Sequence, residues 1–200
     1  MSFRAAALLS VALATLAGPG AARAADMPAP APASPYGWLE EVRIGADDHN
    51  AFLLKERPGG VGNVDGAIEF VSRPLPFYSG PGGVWNILLN PRAAVGSTLS
   101  FNGNTSVVYA DFLWRAPVVG PLFVEGQFGG AYNDSARNVA TPNRIDIGCP
   151  VTFRESAGVG IQLNEHFDIV ADVDHISHAN LCGRHNPGLT NIGLKLGYKF

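Results

Sequence analysis

The sequence contains few charged residues and no long apolar run, and each scarcity excludes a class of protein. Only 16% of the 200 residues are charged and the formal net charge is -3, which gives no basic surface for nucleic acid. No stretch beyond the N-terminus reaches the roughly 18 apolar residues of a transmembrane helix, and no segment shows convincing helical periodicity. What remains abundant is glycine, with 24 residues, and apolar residues, with 46%.

The N-terminus has the features of a secretory signal peptide. Arg4 provides the positive charge, Ala5–Leu16 the apolar core, and Ala22-Arg23-Ala24 a small-x-small cleavage site. The alternative is a helical membrane anchor, for which the apolar run is short. The predicted organisation is a signal peptide over 1–24, an extended proline-rich linker over 25–36 and one domain over 37–200.

The two cysteines are Cys149 and Cys182. In an exported protein an even pair predicts one disulfide, because the compartment is oxidising. Two unpaired thiols are the alternative, and they persist less readily outside the cell.

Turn signals divide the rest of the chain into eight strand-like segments. The predicted strands are Trp38–Ala46, Val64–Ser72, Trp85–Leu99, Ser106–Arg115, Leu122–Ala131, Val151–Leu163, His166–Ser177 and Leu189–Phe200. Pro91 interrupts the third, since proline cannot donate to a ladder. Strands of about 9–11 residues cross a bilayer in transmembrane β-barrels.

The sixth and eighth segments alternate between an apolar face and a polar or small face. This pattern predicts an all-β fold, an eight-stranded antiparallel transmembrane β-barrel with lipid outside and a narrow polar lumen inside. A soluble β-sandwich or lipocalin-type barrel, with the apolar face inward, is the alternative. Glycine, lysine and arginine on the polar face, and a C-terminal strand ending in Tyr198 and Phe200, favour the membrane version.

The same alternation assigns Asp168, Asp172 and Asp174 to the lumen, where we expect them to pair with basic side chains. The candidate partners are Arg154, Lys195 and Lys199. The longer, polar connections would be extracellular, and they bring Cys149 and Cys182 to one side of the membrane. The aromatic residues Trp38, Tyr78, Trp85 and Trp114 are candidates for the interfacial belts.

The seventh strand places two reactive side chains on its apolar, outward face. Ile169, Ala171 and Val173 are followed at the same parity by His175 and Ser177. Histidine is the usual base that activates a serine, so an ester-bearing lipid of the outer leaflet could be attacked here. The alternative is a pair of interfacial polar residues where the strand leaves the membrane.

Two further patterns point to no cofactor. His175, His178 and His185 lie on opposite faces and in a loop, without a closed set of metal ligands, so we expect no metal. Solvated loop histidines are the expected role of His178 and His185. Gly80-Pro81-Gly82-Gly83 has no following helix and is interpreted as a turn rather than a phosphate loop.

The C-terminal segment resembles the PagL-type lipid A 3-O-deacylases. The residues that carry the resemblance are His175-Ile176-Ser177-His178-Ala179-Asn180-Leu181, then Asn186-Pro187-Gly188-Leu189 and the ending Gly197-Tyr198-Lys199-Phe200. That family has a histidine-x-serine-asparagine-alanine motif in an eight-stranded outer-membrane barrel. The resemblance implies hydrolysis of the 3-position acyl ester of lipid A by a serine–histidine–glutamate triad without a metal.

Carried onto this chain, the resemblance makes Ser177 the nucleophile and His175 the base. The asparagine that follows the nucleophile in the family is His178 here, and the acidic residue near the start of the last strand falls at Thr190. The oxyanion is then expected to be stabilised by amide groups after Ser177, with Asn180 or His178.

Glu155 is a candidate for the missing acid. It lies on the lipid-facing side of the sixth strand, where a bare carboxylate is costly. Counting back from a tight turn at Asn164-Glu165 brings it opposite or diagonal to His175. The alternative is an interfacial glutamate paired with an arginine or lysine.

The sequence thus predicts an exported outer-membrane esterase that acts on lipid A in lipopolysaccharide and needs no cofactor. Partners would be the outer membrane and its outer leaflet, not nucleic acid, and a homodimer stays open. Thr190 and His178 favour the main alternative, a catalytically inactive structural or surface barrel. A soluble ligand-binding barrel is the third hypothesis.

Overall fold

The protein, described here by a computed structural model over residues 36–51, 64–135 and 144–200, is a closed antiparallel barrel of eight strands. The strands are β1 Leu39–Asp48, β2 Val64–Pro74, β3 Arg92–Ser100, β4 Val107–Val119, β5 Leu122–Asn133, β6 Val151–Gln162, β7 Phe167–Ser177 and β8 Leu189–Lys199. Each strand pairs with its neighbours in sequence, and β8 pairs with β1. The predicted signal peptide and most of the linker lie outside the described residues. Among the described residues, no helix has the length and hydropathy needed to cross a membrane.

The predicted third strand was wrong at its start. Residues Val84–Leu89 form a short helix, α1, directly after Gly83, so the prediction that no helix follows this glycine-rich segment was also wrong, and β3 begins only at Arg92. The run from Trp85 to Leu89 is apolar without alternation, and such a run does not distinguish helix from buried strand. Pro91, which lacks an N–H, separates the two elements.

The alternation of the strands is borne out. Along β6, Arg154 and Ser156 are buried inside the barrel, while Phe153 and Val159 are exposed on its outer wall. The other strands repeat this arrangement, so a continuous apolar surface surrounds the barrel. In a soluble barrel these apolar side chains would point into the core. The fold is therefore a transmembrane barrel with a polar interior.

The lumen near the start of β1 and the end of β8 is filled by ion pairs around two arginines. Arg43 contacts Glu41 at 2.5 Å, Glu69 at 2.8 Å and Glu125 at 2.8 Å. Arg115 contacts Glu125 at 2.5 Å and both Glu41 and Asp168 at 3.1 Å. Because these charges are cut off from water, each depends on its partners for stabilisation.

The lumen contains the pairs predicted from the alternation of β7. Lys195 binds Asp172 at 2.7 Å, and Lys199 lies 3.1 Å from Asp168. Arg154 lies 3.6 Å from Asp174, and its guanidinium stacks 3.8 Å from the ring centre of Tyr109. Arg154 also pairs with Asp111. The three predicted aspartates thus have basic partners.

At the loop end the lumen holds an apolar cluster beside buried polar residues such as His49 and Asp65. The buried cluster there consists of Val107, Tyr109, Ala131, Ile147, Ile176 and Leu189. Ile176 and Leu189 are the inward neighbours of the outward positions that carry the site described next. This cluster therefore supports the site from inside the barrel.

Candidate active site

The outward pair His175 and Ser177 lies at the end of β7. Both side chains are half-buried, and the residue between them, Ile176, points inward and is 1% exposed. Because side chains alternate along a strand, the buried Ile176 holds its two neighbours on the outer wall. The site is thus on the outside of the barrel and not in its lumen.

Three strands present a row of polar residues across this wall. Glu155 of β6 is directly opposite His175 of β7, and His175 is directly opposite Thr190 of β8. Directly opposed residues in antiparallel strands have Cβ atoms about 4.5–5.5 Å apart. His175 is therefore flanked by a carboxylate on one side and a hydroxyl on the other.

The hydroxyl is the group that contacts the ring. Nδ1 of His175 and Oγ1 of Thr190 are 2.8 Å apart, a hydrogen bond in which the donor depends on the tautomer. This contact occupies Nδ1 and leaves Nε2 for other chemistry. The described residues contain no direct hydrogen bond between Ser177 and the ring, and such catalytic contacts often tighten only when substrate is bound.

Glu155 is exposed on the outer wall. Within the described parts of the chain it makes no hydrogen bond and no ion pair, so the arginine or lysine partner considered above is not found there. A carboxylate that is left alone on a lipid-facing wall is costly, which makes Glu155 a candidate functional residue. Its nearest cross-strand neighbour of opposite potential charge is His175.

Gly188 makes room for the imidazole. A Cβ atom at this position would lie 2.5 Å from Cε1 and 2.8 Å from Nε2 of His175, closer than atoms pack. Its φ of 68° is also in the left-handed region that glycine adopts without strain. Any larger residue would displace the ring edge that carries Nε2.

The pair opens into a cavity of about 310 Å³ on the outer wall. Its lining consists of Phe128, Phe153, Glu155, His175, Ser177 and Ala179. A larger and mostly apolar groove of about 610 Å³ shares Phe128 and Phe153 with it. The groove continues past Gly129, Gly130 and Phe112, so the reactive residues lie beside a surface suited to a hydrocarbon chain.

The loop after Ser177 is organised by His178, whose expected role as a solvated histidine was wrong. The side chain is buried, and residue exposure is only 2%. Nε2 lies 2.9 Å from the carbonyl of His185, and Nδ1 accepts the amide of Cys182 at 3.3 Å. The backbone amide of His178 donates to Asn186. His185 itself remains exposed.

The predicted disulfide between Cys149 and Cys182 is present. It joins the segment before β6 to the loop after β7, so it fixes this loop beside the apolar groove that both cysteines line. Next to Ser177, Ala179 and Asn180 have φ values of 48° and 63°. Left-handed residues that are not glycine are uncommon and concentrate at functional sites.

Sequence reasoning missed several residues of this site, namely Phe128, Phe153, Ala179 and Gly188. Phe153 could have been found, since it precedes Glu155 by two residues on the same face of β6 and is opposite Ser177. Phe128 follows from the pairing of β5 with β6, where it is opposite Glu155. Among the described residues, no group of three or more histidine, cysteine or acidic side chains is arranged to hold a metal ion.

Comparison with known proteins bears on the fold and on the family of the chain. No curated protein sequence matches the chain. In structure, the outer-membrane enzyme PagL is similar with a TM-score of 0.53 at 14% identity, over 80% of this chain and 97% of that one. The N-terminal β-barrel domain of Pseudomonas aeruginosa OprF aligns with a TM-score of 0.49 at 15% identity, over 82% of this chain and 99% of that one.

At the level of sequence, a family model gives the more direct result. The model described as lipid A 3-O-deacylase (PagL) matches residues 69–199, which include every strand from β3 to β8 and the whole site. This stretch is more than half of the 200-residue chain. The chain therefore belongs to the lipid A 3-O-deacylase (PagL) family.

Proposed function

We propose that the protein is an exported outer-membrane esterase that removes the 3-position acyl chain of lipid A. The observation that carries the proposal is the arrangement at the end of β7. His175 and Ser177 share one outer-wall cavity, Thr190 binds Nδ1 of the histidine, and the cavity continues into an apolar groove. A lipid in the outer leaflet reaches this wall laterally, without passing through the lumen.

In the proposed reaction His175 is the general base. Nδ1–H donates to Thr190, so the lone pair of Nε2 takes the proton of Ser177 as its Oγ attacks the acyl carbonyl. The C–O bond to lipid A then breaks, and the imidazolium returns the proton to the departing 3-hydroxyl. Water, deprotonated by the same nitrogen, hydrolyses the acyl-enzyme and releases a 3-hydroxy fatty acid.

The oxyanion is assigned to backbone amides of the segment after Ser177, with Asn180 as the side-chain candidate. Ala179 lines the cavity, and Asn180 follows it in the unusual left-handed turn. Of the two side chains predicted for this role, His178 has both ring nitrogens engaged in the loop. Its contribution is to hold the turn in place, because preorganised donors stabilise developing charge most effectively.

In the family one acidic residue both orients the histidine and stabilises its charge, and here Thr190 and Glu155 take one of these roles each. The hydroxyl of Thr190 fixes the tautomer and orientation of His175 but brings no charge. The carboxylate of Glu155, opposite His175 and without another partner in the described chain, stabilises the imidazolium when it forms. Together they replace one glutamate by a hydroxyl contact and a nearby charge.

This division predicts the effects of two substitutions. Thr190→Val is expected to lower kcat about 10-fold to 100-fold, because the ring loses its orienting contact. Glu155→Gln is expected to lower kcat by a similar factor while KM changes little, because the charge matters only when the imidazolium forms. The measurement is the rate of 3-hydroxy acid release from lipopolysaccharide by purified variants in detergent.

Rescue distinguishes a lost charge from local damage. Adding Thr190→Glu to the Glu155→Gln variant is expected to restore activity, since it returns a carboxylate to the residue that contacts Nδ1. Full activity of Glu155→Gln alone, in a folded barrel, would remove Glu155 from the mechanism. If the rescue fails, the loss of activity in Glu155→Gln comes from a change in local structure and not from the missing charge.

The proposed function itself is tested by mass spectrometry of lipid A. Cells that make lipid A with an ester-linked 3-position chain would express either the wild type or Ser177→Ala. We expect lipid A to lose the mass of one 3-hydroxyacyl group with the wild type only. Identical spectra from equal amounts of folded protein would favour the alternative function, a structural barrel, which the absence of a carboxylate at Thr190 already supports.

A further inference from the structure

The connection between β2 and β3, at the end of the barrel opposite Ser177, exposes an unusually apolar surface. Its most exposed large side chains are Phe77 at 68%, Val84 at 61% and Trp85 at 59%, followed by Leu88 and Leu89. Residues 74–91 contain no charged side chain and no histidine. A connection of this composition cannot be explained as an ordinary water-exposed turn, which would be polar.

The segment is nevertheless well structured. The side chain of Asn90 accepts from the amide of Tyr78 at 2.8 Å and donates to its carbonyl at 2.9 Å, and it also binds Asn86. The amide of Leu75 donates to the carbonyl of Pro91 at 2.8 Å, which closes the base of the connection. The fold therefore holds α1 in one place while leaving its apolar side chains outside the protein core.

Helix α1 is attached to the outer wall of the barrel. The indole Nε1 of Trp114 donates to the carbonyl of Leu88 at 2.9 Å. Trp114 lies on the outward face of β4, in the same column as the exposed Phe112. This contact satisfies a helix-terminal carbonyl and makes the apolar surface of α1 continuous with the lipid-facing wall.

We propose that the α1 segment, residues 75–90, binds the membrane surface in the leaflet opposite the active site, with its apolar side chains among the phospholipid chains. Three observations favour lipid as the partner of this surface. The surface is continuous with the barrel wall, it carries no charge, and Trp114 holds it at the end of the barrel. Aromatic and aliphatic side chains at a membrane–water interface are typical of interfacial segments. A second copy of the chain or a soluble partner would have no need for this continuity.

Site-directed spin labelling tests the proposal on the full mature chain. A nitroxide is attached to Leu88→Cys, since the two native cysteines are joined in a disulfide and do not react. The barrel is reconstituted in phosphatidylcholine vesicles, and collisions of the label with oxygen and with a water-soluble nickel chelate are compared. We expect the ratio of oxygen collisions to nickel-chelate collisions to be several-fold higher than for a label on a water-exposed turn, because oxygen concentrates in the bilayer.

Two matched positions calibrate the measurement. Glu165→Cys labels the tight turn at the same end of the barrel, and Val159→Cys labels the exposed apolar wall of β6. A label at Leu88 that behaves like the label at Glu165 would overturn the proposal. Dipolar broadening that disappears on dilution with unlabelled protein would also overturn it, because the occupant would then be a second copy. Release of 3-hydroxy acid or, if the protein has no activity, protease resistance shows that each labelled barrel is folded.

Discussion

Replacing His175 by alanine is expected to reduce kcat/KM to the level of the Ser177→Ala variant, about 10⁴-fold below the wild type, and the double variant is expected to lose no more. In the proposed mechanism the serine reacts only as the histidine takes its proton, so each residue would be ineffective alone. The measurement is release of the 3-hydroxy acid from purified lipopolysaccharide by the three variants, with the folded fraction of each determined separately.

His166→Ala is the matched control for this result. His166 is exposed on the barrel, but it stacks on Tyr198 and binds the carbonyl of Lys199 at the end opposite the candidate active site. It should keep activity close to that of the wild type. Additive losses in the double variant would contradict a shared mechanism for His175 and Ser177, since independent contributions multiply in rate.

The second large effect is expected from Arg43→Met in the lumen. Removing the guanidinium leaves Glu69 without its direct ion-pair partner, and among the described residues Tyr109 and Gln127 remain as its hydrogen-bond donors. Breaking a buried ion pair from one side costs about 3–5 kcal/mol, because the remaining charge cannot return to water. We expect a loss of this size in the free energy of unfolding, measured by urea titration of the barrel in phosphatidylcholine vesicles.

Two further variants separate this cause from a general loss of packing. Arg144→Met breaks an ion pair between two partly exposed side chains, Arg144 at 39% and Asp134 at 42%. It should lower the free energy of unfolding by at most about 1 kcal/mol. Adding Glu69→Gln to Arg43→Met should recover part of the loss, since it removes the uncompensated charge. A double variant as unstable as the sum of the two single variants would contradict the electrostatic explanation.

The period-two alternation accounts for how much of this fold could be predicted. Once lipid is placed outside, parity assigns Asp172 and Arg154 to the lumen and His175 and Ser177 to the wall, and no detailed packing is needed. The tight turn between β6 and β7 sets the register, so that counting from it brings Glu155 to His175. Local patterns were sufficient here because neighbouring strands in the barrel are also neighbours in sequence.

The features that could not be predicted depend on contacts distant in sequence. Helix α1 is held against Trp114, 26 residues beyond its Leu88 carbonyl partner, and nothing local separates its apolar run from a strand. His178 is buried because the loop folds back over it to Cys182 and His185. The space that Gly188 leaves for the imidazole is likewise apparent only when β7 and the loop before β8 are seen together.

The ion pairs of the lumen have a consequence for the cell. Arg43 of β1 reaches Glu125 of β5 on the far side of the eight-stranded ring, so a salt bridge spans the bore at this level. A solute entering from either end would have to separate desolvated opposite charges to pass. The barrel is therefore closed to solutes at this level, and it can span a membrane without making that membrane permeable.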